Sequence, residues 1–137
     1  MTKAQRRWVY SPQKQSASQV PASIKAEVQR KAEQLIEATL KPQHLKPPPI
    51  DTHFNYLVDI YTKWYRHYFY FCAKYYSPGS NAIAPYFETK FARLEYTGNN
   101  HFALSFRRYT EEWIEICRNL SVDQCLNAVR DDPLFQP

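Results

Sequence analysis

The residue types that most often carry catalysis or metal binding are few in this sequence and widely spaced. The four histidines are His44, His53, His67 and His101, and no two of them have the HxH or HxxxH spacing that chelates a metal. A GxGxxG motif, a P-loop and a GxSxG motif are also missing. We therefore predict no metal, no cofactor and no catalytic residue. A small enzyme is the alternative interpretation, and it would require an active site that none of these motifs describes.

Three cysteines, Cys72, Cys117 and Cys125, form no CxxC pair, and each stands where an apolar residue would fit. We predict reduced thiols in the core of a cytoplasmic protein. Cys72 could instead be a nucleophile with His67 or His101 as its base. Its place inside a predicted strand favours a packing role.

A functional hypothesis comes from the alternation of side chains along the predicted strands. In a one-sided strand every second residue faces away from the core. The residues predicted to share that polar face combine rings with cations: Tyr61, Lys63, Tyr68, Tyr70, Lys74, Arg107 and Tyr109. Such a face suits a protein partner, and it also suits a single-stranded nucleic acid, because bases stack on rings and phosphates pair with cations. A third interpretation is that a helix partly covers this face.

The first 21 residues carry the cations Lys3, Arg6, Arg7 and Lys14, no acids and a Ser/Gln/Pro-rich run. We predict a disordered basic tail over residues 1–21 that could touch a polyanion. Since the whole chain has a net charge of +5 and the tail supplies +4, residues 22–137 carry only +1. The folded part is therefore predicted to be nearly neutral.

Apolar residues recur at helical spacing from Ile24 to Leu40, which predicts an amphipathic helix capped by Ser23 and ended by Pro42. A short polyproline connector is then predicted from His44 to Pro49. Near the other end, Ser121 and Gln124 have the spacing of a capping box, which begins a short helix that Asp131-Asp132-Pro133 ends.

Between the helices the pattern has period two, which predicts five antiparallel strands. The first runs from Phe54 to Trp64 with Phe54 facing inward, and the next from His67 to Tyr76. An irregular loop follows up to Pro85. In the third strand the apolar residues move from odd-numbered to even-numbered positions near Ala92, which predicts a bulge there. The last two strands follow a hairpin centred on Gly98 and a turn at residues 109–111.

These elements predict one α+β domain over residues 22–137, with an N-terminal amphipathic helix, a curled five-stranded antiparallel meander and a short C-terminal helix. The chain has 137 residues, too few for two ordinary domains, and only 2 glycines, which disfavours a parallel nucleotide-binding fold. No apolar run is long enough to span a membrane, so we expect a soluble cytoplasmic monomer or homodimer.

Several of these features together resemble the bacterial domain-of-unknown-function family DUF3024. They are Lys90-Phe91 in the third strand, the run from Phe102 to Arg108, Trp113, and a last helix closing on Asp131-Asp132-Pro133. The resemblance covers roughly residues 28–135 and implies an amphipathic helix packed on a meander. It implies no activity and no site residues. From the residues we predict a non-catalytic protein-interaction or structural module, with single-stranded nucleic-acid binding as the alternative.

Overall fold

The computed structural model of the chain describes residues 19–48, 54–79 and 82–137. Helix α1 spans Ala22–Leu35, continues as a π-helical segment over Ile36–Leu40, and is followed by a short helix α2 over Lys41–His44. Five strands follow, and helix α3 ends the order; their bounds are β1 Tyr56–Tyr65, β2 Tyr68–Tyr76, β3 Tyr86–Gly98, β4 His101–Arg107, β5 Trp113–Leu120 and α3 Val122–Asp131. The predicted α+β order is confirmed.

The strands form one sheet in which each strand pairs antiparallel with its neighbour in sequence, so the order is β1-β2-β3-β4-β5. This is the predicted meander. Arg66, at φ 56°, makes the tight turn between β1 and β2. In β3 the register with β2 shifts between the pairs Phe71–Ala92 and Cys72–Lys90, which leaves Phe91 as an extra residue. The bulge predicted near Ala92 is confirmed one position away.

The turn between β3 and β4 uses three consecutive residues with positive φ. Gly98 has φ 101°, and Asn99 and Asn100 follow at 53° and 61°. Glycine and asparagine are the residues that adopt this conformation at low cost. The predicted hairpin is confirmed, with its tip at the two asparagines and Gly98 opposite His101.

The first helix differs from its prediction at both ends. Its N-cap is Pro21, no side chain caps it, and Ser23 lies inside the first turn. Pro42 does not end it, because the preceding π-helical segment changes the hydrogen-bond register: the N–H of Lys41 donates to the carbonyl of Ile36, five residues back. A proline lacks an N–H and clashes with the carbonyl four residues earlier, and a wider π turn relieves both problems.

His44 therefore closes the helix, and the predicted polyproline connector begins no earlier than Leu45, whose backbone is extended. Residues 49–53, including His53, and residues 1–18, including the four tail cations, lie outside the described residues. At the other terminus the capping box is confirmed: the Gln124 N–H donates to Ser121 Oγ at 3.2 Å, and the Ser121 N–H donates to Gln124 Oε1 at 2.9 Å.

Both long helices pack on the same face of the sheet and share one core with it. Helix α1 contributes Val28 and Ala32, and helix α3 contributes Val129. Phe69 and Phe71, in the middle of the sheet, are fully buried beneath them. Phe54 was predicted to face inward, which is wrong: it precedes β1 and is 71% exposed. No helix of the described ranges is long and apolar enough to cross a membrane.

The hairpin turn yields a test of backbone strain. An added Cβ would meet no atom within 4 Å at Gly98 or at Gly79, but only Gly98 has a positive φ. We expect Gly98→Ala to lower the free energy of unfolding by about 1 kcal/mol. Gly79→Ala, the matched control, should change it little. Urea denaturation of both variants measures the difference, and equal stabilities would contradict the strain explanation.

Candidate binding face

The side of the sheet opposite the helices carries a mixture of rings and cations, and we call it the open face. Since side chains alternate along a strand, the burial of Phe69 and Phe71 under the helices places Tyr68 and Tyr70 on the other side. The strand register extends this face in both directions. Its main residues are Tyr61, Lys63, Tyr65, Tyr68, Tyr70, Cys72, Lys74, Lys90, Arg93, Glu95, Ser105, Arg107 and Trp113.

Six of the seven residues predicted to share a polar face lie on the open face. The register places Lys63 opposite Tyr70 and Tyr61 opposite Cys72, with Tyr68 and Lys74 on the same strand as Tyr70. The sixth, Arg107, stands opposite Trp113 at the far side of the sheet. Tyr109 lies in the turn after β4 and is 92% exposed. Among the described helices none packs on the open face, so it is not the covered surface that the third interpretation required.

The centre of the open face is the guanidinium of Arg93. It lies 4.7 Å from the ring centre of Tyr68 and 5.0 Å from that of Trp113. Tyr70 approaches Trp113 at 5.8 Å between ring centres. A guanidinium over an aromatic face is attracted by the ring quadrupole, so Arg93 holds rings of β2 and β5 in one cluster.

Further cations extend this cluster over the strands β1 to β4. Lys90 lies 5.5 Å above the Tyr70 ring, and Arg107 lies 5.8 Å from the Trp113 ring. Lys74 approaches Tyr86 at 4.7 Å. Lys63 is exposed at the β1 side. Rings and positive charges thus alternate across the face from β1 to β5.

The sequence prediction missed Arg93, Lys90 and Trp113, which form the centre of the face. Their parity depends on the bulge at Phe91 and on the register of β4 with β5, which itself shifts twice. The predicted bulge was the available signal for Arg93. Counting residues past it would have placed Arg93 beside Tyr70, its partner in the register.

Carboxylates balance the positive charge on the open face. Glu88, Glu95 and Glu115 face the same way as the five cations Lys63, Lys74, Lys90, Arg93 and Arg107. Glu95 is engaged with His67, whose Nε2 lies 3.1 Å from its carboxylate. In addition, Asp59 stands opposite Lys74 in the register, and Glu111 lies 3.1 Å from the guanidinium of Arg107. Five carboxylates therefore accompany the five cations, and the open face is close to neutral, as are residues 22–137 as a whole, which carry only +1.

Cys72 lies on the open face but is enclosed by its neighbours and is only 2% exposed. Burial raises the pKa of its thiol, although Lys90 and Lys63 oppose the effect. Burial likewise raises the pKa of the adjacent Tyr61, and the nearby Glu88 carboxylate adds to it. A raised pKa keeps the thiol protonated and unreactive, which weighs against a nucleophilic role for Cys72.

The other two cysteines differ from each other. Cys125 belongs to α3 and is buried in the core, and burial raises the pKa of its thiol to about 12. Cys117 is exposed on the edge strand β5, so its predicted place in the core is wrong. Within the described residues all three are free thiols, and no group of three metal-ligating side chains comes together.

This arrangement predicts the thiol reactivity of the native protein. At neutral pH, Cys117 should react with a thiol-specific reagent such as a disulfide dye, while Cys72 and Cys125 react only on unfolding, because both are buried and protonated. Counting released dye before and after adding denaturant measures this, with Cys117→Ser as the control. Rapid reaction of either remaining thiol in folded Cys117→Ser would contradict the assignment of Cys72 and Cys125 as inert packing residues.

Comparison with known proteins leads to one family. No curated protein and no solved structure matches the chain. The model of a family described as Domain of unknown function (DUF3024) matches residues 19–137, which include every helix and strand described above. The match covers most of the sequence, so the chain belongs to the DUF3024 family.

Proposed function

We propose that the protein binds a single-stranded nucleic acid on the open face. The observation that carries this proposal is the position of Arg93, Lys90 and Arg107 among Tyr68, Tyr70 and Trp113, on a sheet face that neither long helix contacts. Sheets that bind single strands combine rings, which stack with bases, and cations, which neutralise phosphates.

One further observation supports this choice over a purely structural role. Tyr65 is 55% exposed at one end of the face, with the Arg66 guanidinium 5.3 Å from its ring centre, so a ring and a cation stand together where a nucleotide could reach both.

In this proposal residues 22–137 act as one domain, and the basic tail with Lys3, Arg6, Arg7 and Lys14 adds sequence-independent attraction to phosphate. A cytoplasmic location, where nucleic acid is accessible and thiols stay reduced, is part of the same proposal. No step of catalysis is included, because binding alone accounts for the residues of the face.

Binding to a protein is the second candidate function. It is favoured by exposed apolar residues at one end of the sheet, where Tyr86 and Phe87 are 49% and 39% exposed. Tyrosine-rich surfaces suit protein partners because a ring with a hydroxyl tolerates both contact and water. The two functions differ in their response to salt, since phosphate contacts weaken steeply as salt rises.

The test is fluorescence anisotropy of labelled single-stranded RNA and DNA at two salt concentrations. Lys63→Ala should weaken binding several-fold at low salt and reduce the salt slope by about 0.7, because one phosphate contact is lost. The matched control is Lys46→Ala, which removes an exposed lysine outside the sheet and should have little effect. Full-length protein that binds neither strand at low salt would rule out the proposal and leave the protein-interaction function.

Stacking is tested separately from charge. We expect Tyr65→Leu to weaken binding by about 1 kcal/mol or more at both salt concentrations, since a stacked base is lost and no charge is changed. Phe54→Leu, which alters another exposed ring outside the strands, is the control. Replacing Lys3, Arg6, Arg7 and Lys14 together with Gln shows how much of the affinity comes from the tail. If that variant loses all binding, the tail and not the open face is the site.

A further inference from the structure

A cleft of ≈ 480 Å³ lies beside the first half of β3, beyond the end of β4. Pairing between these strands begins at Ala92, opposite Phe106, so no described strand pairs with residues 86–91 on that side. The far wall of the cleft consists of Arg107, Arg108, Glu111, Gln136 and Pro137. Because these residues close the position of a further strand, the cleft suits a small molecule, and its volume is within the range of about 300–1,000 Å³ for such sites.

One wall of the cleft is an aromatic stack with an uncovered end. The rings of Tyr75 and Phe87 are parallel to within 9°, with their centres 5.2 Å apart. Since Tyr75 covers Phe87 from the β2 side, the other face of the Phe87 ring is directed to the β4 side, where the cleft lies. Phe87 is 39% exposed, and the buried Phe91 adds an apolar surface beside it. A planar ring in the cleft would continue the stack.

The cleft also contains polar groups that could hydrogen-bond the edge of such a ring. In an antiparallel strand, alternate residues direct both their N–H and their C=O to the same side. Over residues 86–91, the groups that point away from β2 meet the cleft and no described strand. Thr89, on the same side of the sheet as Phe87, adds a hydroxyl to the lining. Donors beside acceptors are complementary to the hydrogen-bonding edge of a nucleobase.

The charged side chains of the lining are nearly balanced, and they are Lys90, Arg107, Arg108, Glu88 and Glu111. Arg107 is engaged with Glu111 at 3.1 Å. Arg108 lies 4.0 Å from the carboxylate of Glu112, which is too long for a hydrogen bond, so an anion in the cleft can displace this contact. The lining therefore suits a planar ring that carries an anionic group near Arg108.

We propose that the cleft binds one nucleobase together with its phosphate. The base stacks on the uncovered face of Phe87, the backbone of residues 86–91 hydrogen-bonds its edge, and Arg108 binds the phosphate. The choice of a nucleotide rests on the proposed function, because Lys90 and Arg107 line the cleft and also belong to the open face.

The same chemistry has two sources, a base unstacked from a bound single strand or a free mononucleotide. In the first case the cleft adds a preference for one base. The open face alone would bind without such a preference, since stacking and phosphate contacts tolerate any sequence. In the second case the cleft is a separate nucleotide site at the end of that face.

Free mononucleotides give the first test. Equilibrium dialysis against adenosine, guanosine, cytidine and uridine 5′-monophosphates measures their binding to the full chain. We expect Phe87→Leu to weaken the binding of the preferred nucleotide about tenfold, because the stacking surface is lost. Tyr86→Leu is the matched control, since this exposed ring lies on the opposite side of β3 and outside the cleft, and it should have no effect. Equal losses in both variants would overturn the assignment of Phe87.

The phosphate contact is tested by comparing each nucleotide with its nucleoside. Arg108→Gln should weaken nucleotide binding about tenfold and leave nucleoside binding unchanged, because a charge-assisted hydrogen bond is lost. Arg118→Gln, which removes an arginine paired with Glu115 on β5, is the control and should change neither. Denaturation checks that each variant is folded. If nucleotide and nucleoside bind the unchanged protein equally, the role of Arg108 is wrong.

Labelled strands of a single base type separate the two sources. If the base comes from a bound strand, the unchanged protein prefers one of the four strands, and Phe87→Leu removes that preference while binding by the open face persists. If the ligand is a free mononucleotide, Phe87→Leu leaves binding to every strand unchanged.

The same measurements separate this inference from the proposed function. The inference is overturned if no mononucleotide binds at roughly 1 mM and Phe87→Leu binds all four strands as the unchanged protein does. Mononucleotide binding without any strand binding would instead overturn the proposed function and leave the cleft as a nucleotide site.

Discussion

The structure depends on the alternation of side chains along strand β2. Phe69, Phe71 and Ala73 are fully buried beneath the helices, and no shift by one residue is tolerated, since it would expose all three and bury tyrosines and a lysine in their place. This constraint fixes the register of β1 and β3 on either side. The side that bears the rings and cations follows from it, because Tyr68 and Tyr70 have no other direction in which to point.

The two faces of the sheet are held together by different interactions. On the helix side, aliphatic and aromatic residues such as Ile36 and Leu104 form a dry core, where burial of apolar area supplies most of the stability. On the open face, rings contact guanidinium and ammonium groups, an arrangement that leaves the polar ends available to a ligand. A surface of this kind remains compatible with water, and in our proposal it binds a polyanion.

The bulge at Phe91 connects the fold to the proposed binding face. It lets β3 keep Phe91 in the core while Arg93 faces the open side, so that its guanidinium reaches rings of two other strands. Bulges commonly bend and redirect a strand near a binding site, and here the bulge directs Arg93 toward the open face.

The sequence by itself determined the element order, the antiparallel meander, the Gly98 hairpin, the capping box at Ser121 and the parity of β2, because each depends on neighbouring residues along the chain. It placed six of the seven predicted residues on one face for the same reason. Only the tertiary structure decided which face the helices cover, and that Arg93 and Trp113 meet at the centre of the open face. It also decided that the helix passes through Pro42 on a π turn and that Cys117 is exposed. These features depend on the register between strands and on packing between distant elements, which local patterns do not encode.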